Sequence, residues 1–220
     1  VDNSASFPAV SDAVFYMNAA KRNNAQANRE VIVNEVDGSS VNVEWTNMGW
    51  KADGWTTDDE GRSCLLIPAG SQANIVYQPL GSVGNGKTIE LCYKVKNVAD
   101  FNENLITIAT DPTSSTFQGI QIKPKRISVH SRDLKDTASQ SYPNKDEELV
   151  HVLITIVKNY KTNYGNLCQI YVNGGKRTSF DFTGTDSFAA VANIILGNNS
   201  ADLYVYKMRV YNEGFEWMSA

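Results

Sequence analysis

Nine consecutive residues, Thr88–Lys96, constrain this chain more than any other stretch. Ile89, Leu91, Tyr93 and Val95 fall on one side, and Thr88, Glu90, Lys94 and Lys96 on the other. A period of two is the pattern of a strand with one face on a core, because successive side chains point to opposite sides. The pattern recurs as far as residue 211 with hardly a helical stretch. Strands are predicted at Cys64–Pro68, Ala73–Tyr77, Thr88–Val95, Ile106–Thr110, Ile120–Lys123, Ile127–His130, Val150–Val157, Leu167–Val172, Thr178–Phe182, Ile194–Gly197 and Asp202–Tyr211. Val150–Val157 is apolar on both faces and reads as a central strand.

The connections carry turn chemistry. Asn173-Gly174-Gly175 can supply positive φ for a tight hairpin, Lys123–Arg126 holds a proline turn, and Gly81–Gly86 reads as a flexible connection. Strands spaced in this way predict a sandwich or barrel rather than βαβ units. Arg132–Glu148 is polar, contains Pro143 and is expected to be a long surface loop. Near the start, the composition of Ala13–Val36 could begin a helix. The preferred reading is strands at Val14–Met17, Val31–Val33 and Val41–Trp45, with an Asn-rich loop around Asn23, Asn24 and Asn28.

A chain of 220 residues can form one sandwich, and a single domain spanning 1–220 is expected. A domain of that size buries roughly 70% of its unfolded surface, enough to hold a core without staples. The net charge of −4 and the absence of a basic stripe argue against nucleic acid as a partner. No run of 18 apolar residues predicts a membrane span. The first residues lack the basic and apolar regions of a secretion signal and an initiator Met, so a mature form, a trimmed product or an excised piece is expected. Cys64, Cys92 and Cys168 are odd in number, lie inside predicted strands and have no metal-ligand spacing. Free thiols acting as small hydrophobes are the preferred reading, over one disulfide with a cysteine left over.

Trp45, Trp50 and Trp55 fall within eleven residues, beside Asp53, Asp58 and Asp59. Sugars offer C–H faces that stack on aromatic rings and hydroxyls that bond to carboxylates, so Trp50, Asp53, Trp55 and Asp58 form a candidate ligand site. Tryptophans are also common core plugs, and packing is the alternative use. Asp53, Asp58 and Asp59, with Glu60, could hold calcium, which takes about 6–8 oxygen ligands. A solvated acidic turn is the alternative, and no other cofactor is implied. His130 and His151 read as structural histidines. Ser128 shares a face with His130, but no acidic orienter makes a triad with them. Tyr204, Tyr206, Met208 and Val210 are expected to share one face of the last strand, opposite Lys207, Arg209 and Tyr211.

Four segments in order resemble the concanavalin A-like lectin/glucanase superfamily in its laminin-G-like form. They are Lys87–Val95, Glu148–Ile156, Leu167–Gly175, and Ile194–Asn199 followed by Leu203–Asn212, whose end reads Arg-Val-Tyr-Asn. The match covers about residues 64–212. The N-terminal third (Phe15–Asn24, Asp53–Gly61, Cys64–Ser71) is similar to jelly-roll domains in virion proteins of tailed phages of gut bacteria, and in surface proteins of those bacteria. In such domains the last strand often runs into a short closing helix, and Glu213–Ala220 stops where that helix would begin, as in a fragment.

The resemblance implies an all-β jelly-roll sandwich of two antiparallel sheets. It implies a non-catalytic recognition module of a virion or bacterial cell surface, with a cell-surface glycan as partner. The alternative is a structural role against other protein copies, including homo-oligomers. Many domains of the superfamily bind calcium, and its glucanases present Glu-x-Asp-x-x-Glu on one strand. Here Glu35 and Asp37 supply the first two positions but Ser40 stands at the third, so a glycoside hydrolase is the last alternative.

Overall fold

The computed structural model describes residues 12–77, 80, 86–109, 119–130, 137–141, 147–161, 165–182, 193–197 and 200–215. The expected closing helix and most of the Gly81–Gly86 connection lie outside them. The first strands are β1 (Phe15–Asn18), β2 (Val31–Val33), β3 (Ser40–Thr46), β4 (Gly54–Thr57), β5 (Ser63–Ile67), β6 (Gln72–Val76), β7 (Gly86–Lys96) and β8 (Ile106–Ala109). They continue with β9 (Gly119–Lys123), β10 (Arg126–His130), β11 (Thr137–Ser141), β12 (Val150–Lys161), β13 (Gly165–Val172), β14 (Gly175–Phe182), β15 (Asn193–Gly197) and β16 (Asp202–Tyr211).

Among the described residues these strands make two eight-stranded sheets. One runs β14-β13-β12-β7-β16-β5-β4 with β1 also on β16, and the other runs β11-β10-β9-β8-β15-β6-β3-β2. Neighbouring strands are antiparallel throughout, as in β7 with β12 and β16. The chain is therefore an all-β sandwich. Inward residues of the first sheet (Ile89, Leu91, Tyr93, Val205, Met208) share one core with those of the second (Ile75, Ile108, Ile120, Ile194). Tight apolar interdigitation of two such faces is what holds aligned sheets together.

Local chemistry explains most elements. The β13–β14 hairpin turns through Asn173 (φ 50°) and Gly174 (φ 78°), the positive pair that matches strand twist. The helical reading of Ala13–Val36 reduces to one 3₁₀ turn, Ala19–Lys21, whose Ala20 amide donates to the Asn18 side chain. Two strands were not expected. β11 lies inside the segment read as a surface loop, and its sequence Thr-Ala-Ser-Gln-Ser has no alternating apolar face. Its pairing with β10 along a sheet edge gives it the extended state. β4 is short and carries Trp55.

Two expectations about faces are corrected. The polar side of β7 is not on solvent, since Thr88, Glu90 and Lys94 are all buried. The last strand does not keep its phase either. Val205 pairs with Tyr93 and Lys207 with the next residue, Cys92, so Tyr206 is an extra residue in a β-bulge. The bulge resets the alternation: Leu203, Val205, Met208 and Val210 point to the core, whereas Tyr204 and Tyr206 pack with Cys64 and Cys92 on the outer side.

The edge of β16 opposite β7 has a further irregularity. β5 pairs with Leu203–Val205 and β1 with Lys207–Val210, so one edge of β16 is shared by two strands with a gap between them. All three cysteines are free and buried. Cys64 on β5 and Cys92 on β7 are separated by β16, about two strand spacings or 9–10 Å. A disulfide needs Cα atoms within about 7 Å.

Candidate functional site

The tryptophan turn is built by packing. Trp55 is buried, its indole N–H donates to the Arg29 carbonyl at 2.8 Å, and the Arg22 guanidinium lies 5.3 Å from its ring. Trp50 meets Trp45 edge to face at 4.9 Å and has Arg29 over its ring at 5.9 Å. Asp53 accepts from the Gly49 and Lys51 amides, which fixes the turn. Gly54 has φ +77°, and a Cβ there would lie 2.6 Å from the Trp50 ring and 2.8 Å from Asn24 Oδ1. Gly54→Ala should therefore destabilise the protein by roughly 2–3 kcal/mol, from left-handed strain plus overpacking. A urea titration followed by tryptophan fluorescence measures it, and a loss under about 0.5 kcal/mol would contradict this account of the turn.

The acidic loop is already neutralised. Asp58, Asp59 and Glu60 each bring one oxygen to a common point, the oxygens within 4.8 Å of one another. Lys94 Nζ lies 3.4 Å, 2.8 Å and 3.8 Å from those three carboxylates, and Lys96 lies 2.9 Å from Asp59. The cation that this cluster holds is an ammonium, so the residues do not fit calcium. Asp53, the other calcium candidate, is engaged in its own turn.

Asp58 has a different task. Its buried carboxylate accepts from the Tyr206 hydroxyl at 2.7 Å and from Arg62 Nε at 2.8 Å. Burial pushes its pKa up, but the bonds from Tyr206 and Arg62 and the nearby Lys94 charge outweigh that and hold it far below the usual carboxylate range. Burial and the same carboxylate push the Tyr206 phenol well above its ordinary value.

Beside this knot lies Glu90, buried on the outward side of β7. His151 Nε2 is 2.8 Å from Oε1, Lys207 Nζ is 3.1 Å from Oε1 and Arg209 Nε is 2.5 Å from Oε2. Burial favours the protonated acid, yet the hydrogen bonds from His151 and Lys207, the Lys207 charge and the close Arg209 guanidinium prevail and hold its pKa at about 2. His151 is thus the hydrogen-bonded structural histidine that the sequence led us to expect, with the Glu90 carboxylate as its partner. His130 and Ser128 sit on β10 in the other sheet, where burial lowers the His130 pKa.

Above these two networks, at the gap between β1 and β5, a cavity of about 330 Å³ opens to solvent. Tyr16, Asn18, Arg62, Ser63, Tyr206 and Lys207 line it, with Ala20, Cys92 and Leu149 as its apolar part. The bulge re-aims Tyr206 and Lys207 to the same side of β16, a recognised use of bulges at functional sites. Asp58 and Glu90 hold Arg62, Tyr206 and Lys207 from behind. Such a pocket can bind a small polar ligand against aromatic walls, and its volume sits at the low end of the ~300–1,000 Å³ common for such sites.

Of the residues singled out in the sequence, Asp58 belongs to this arrangement as a support, while Trp50, Asp53 and Trp55 belong to the tryptophan turn. Sequence reasoning did not assign Tyr16, Asn18, Arg62, Ser63, Tyr206 or Lys207 to a site. One signal was present: the aliphatic positions of β16 run Leu203, Val205, then Met208, Val210, and the change from odd to even marks the bulge.

No family model and no curated protein matches this sequence. Solved structures do match. The botulinum neurotoxin serotype D binding domain superposes with a TM-score of 0.61 at 11% identity, over 94% of this chain and 49% of that one. The serotype G binding domain gives 0.62 at 12% identity, over 93% and 48%. The binding domain of neurotoxin DC, solved in complex with SialylT, gives 0.63 at 11% identity, over 94% and 49%. This chain thus spans about half the length of the structures it matches, and it shares with that half a β-sandwich of two antiparallel sheets.

Proposed function

We propose that this chain is a non-catalytic carbohydrate-recognition module of concanavalin A-like, laminin-G-like type, one domain of a phage virion or bacterial surface protein. The observation that carries the reading is the cavity at the β16 bulge, where two tyrosine rings and several hydrogen-bonding groups converge on a space the size of a small ligand. The solved domain bound to SialylT supports it, as a binding protein built partly on this sandwich. Glycoside hydrolysis is disfavoured because it needs two carboxyl groups across the scissile bond, roughly 5–10 Å apart. No carboxylate is among the described residues lining the cavity. Glu35 is paired with Lys21 of the 3₁₀ turn at 2.5 Å, and Asp37 accepts from Ser39 in its own turn. Weak single sites would suffice on a particle, where repeated copies raise avidity.

A glycan array on the wild type, Tyr16→Ala and Trp50→Ala tests the reading. Bound glycan is expected for the wild type, lost in Tyr16→Ala and kept in Trp50→Ala. Loss only in Trp50→Ala would move the site to the tryptophan turn. An empty array, with light scattering showing oligomers, would replace recognition by a structural role among protein copies.

A further inference from the structure

We infer that the cavity at the β16 bulge takes an acidic sugar, its carboxylate against Arg62 and Lys207 and its ring against Tyr16 and Tyr206. This rests on the carbohydrate reading and names the class of sugar. Two cations line the cavity and no carboxylate among the described residues does; Asp58, Glu60 and Glu90 contact those cations from outside the lining.

Both cations are tethered on one side and open on the other. Arg62 uses Nε and Nη2 on Asp58 and Glu60, which leaves Nη1 without a hydrogen-bond partner among the described residues. Among the described residues the Lys207 ammonium, with three donors, makes one ion pair, 3.1 Å to Glu90. Their side chains are 34% and 35% exposed, so each can meet a ligand without being freed from its anchor. Groups fixed beforehand lose less freedom on binding.

The remaining polar groups point the same way. The Tyr16 hydroxyl accepts from Asn18 Nδ2 at 3.1 Å, so its own proton is left to donate. Asn18 Oδ1 is occupied by the Ala20 amide. Donors therefore exceed acceptors, which suits a carboxylate better than a neutral sugar, whose hydroxyls also need acceptors. Charge-assisted bonds of this kind are roughly twice as strong as neutral ones.

The test is ligand-observed NMR titration of the protein with glucuronic acid, N-acetylneuraminic acid, methyl glucuronate, glucose and acetate. At least one free acid should bind about tenfold more tightly than methyl glucuronate, glucose or acetate, the measure of a charge-assisted contact. Raising the salt from about 0.05 to about 0.5 M should weaken the acid and leave neutral sugars unaffected. Lys207→Gln, with folding checked by near-UV circular dichroism, should abolish the preference. Ser63→Ala, which disturbs no ion pair, should weaken the acid modestly if Lys207→Gln fails to fold. Glucose binding as tightly as the acids would overturn the inference and leave the carbohydrate reading intact. Acetate matching the acids would also overturn it, as an anion site with no use for the rings. Silence from every sugar here, with a positive array, would place recognition elsewhere; silence in both would remove both readings.

Discussion

Glu90→Gln is expected to lower stability at neutral pH by about 3 kcal/mol and to flatten the acid limb of the stability profile. Its carboxylate is buried among His151, Lys207 and Arg209, and removing one partner of a buried charge network leaves the others uncompensated, at a cost of roughly 3–5 kcal/mol. The partial exposure of Lys207 puts the expectation at the lower end. The pH dependence has a definite sign. The folded protein holds Glu90 at about 2 against an ordinary 4.5, so between those values the unfolded chain binds more protons. Stability then rises with pH across that window, is fully present above 4.5 and is lost as pH falls through about 2. The difference corresponds to about 3 kcal/mol. Asp58 and Asp59 are depressed in the same direction, so the wild-type profile is steeper than Glu90 alone would make it. Urea titrations of wild type and variant at several pH values between about 2 and 7 isolate the Glu90 share. Parallel profiles would show that Glu90 is not held by the network described.

Asp58→Ala should cost at least as much, about 3–5 kcal/mol. It removes the acceptor of the Tyr206 hydroxyl and of Arg62, and leaves the buried Lys94 ammonium, among the described residues, with the exposed Asp59 and Glu60 as its carboxylates and the Tyr204 ring at 5.5 Å. Lys94→Met in that background removes the stranded charge and should recover at least about 1 kcal/mol, since a buried pair replaced by apolar groups is often neutral. A double-mutant cycle in urea gives the coupling directly. Additive single effects would mean that the two groups do not depend on each other. The same substitution reaches the cavity: with Tyr206 and Arg62 untethered, Asp58→Ala should lose ligand binding under conditions where it is still folded. Retained binding would show that the cavity wall does not need this anchor.

Much of the sandwich was legible because the signal for it is local. Strand existence follows from alternation, and the Asn173-Gly174 hairpin follows from two residues that tolerate positive φ. β11 was not legible, because Thr-Ala-Ser-Gln-Ser takes its extended form from β10 rather than from its own pattern. The faces were harder than the strands. A single inserted residue at Tyr206 inverts the side to which everything after it points, and a period-two reading that includes tyrosines runs straight through it. The polar side of β7 was misread for a related reason: charged residues normally mark solvent, and only the arrival of Lys207, Arg209 and the Asp58 loop makes burial of Glu90 and Lys94 tolerable.

The sequence by itself determined that this chain forms antiparallel layers around one apolar seam, since alternation and turn residues act within a few positions of each other. It also marked a cluster of tryptophans and acids, but not what they do. Only the tertiary structure decided that Trp55 is sealed inside, that the acidic loop holds a lysine, and that β1 and β5 share an edge of β16 and leave a cavity between them. The physical reason is range. Propensity and periodicity are read along the chain, whereas a cavity is made by residues such as Tyr16, Arg62 and Lys207, which are distant in sequence and meet only when strands pair in a particular register.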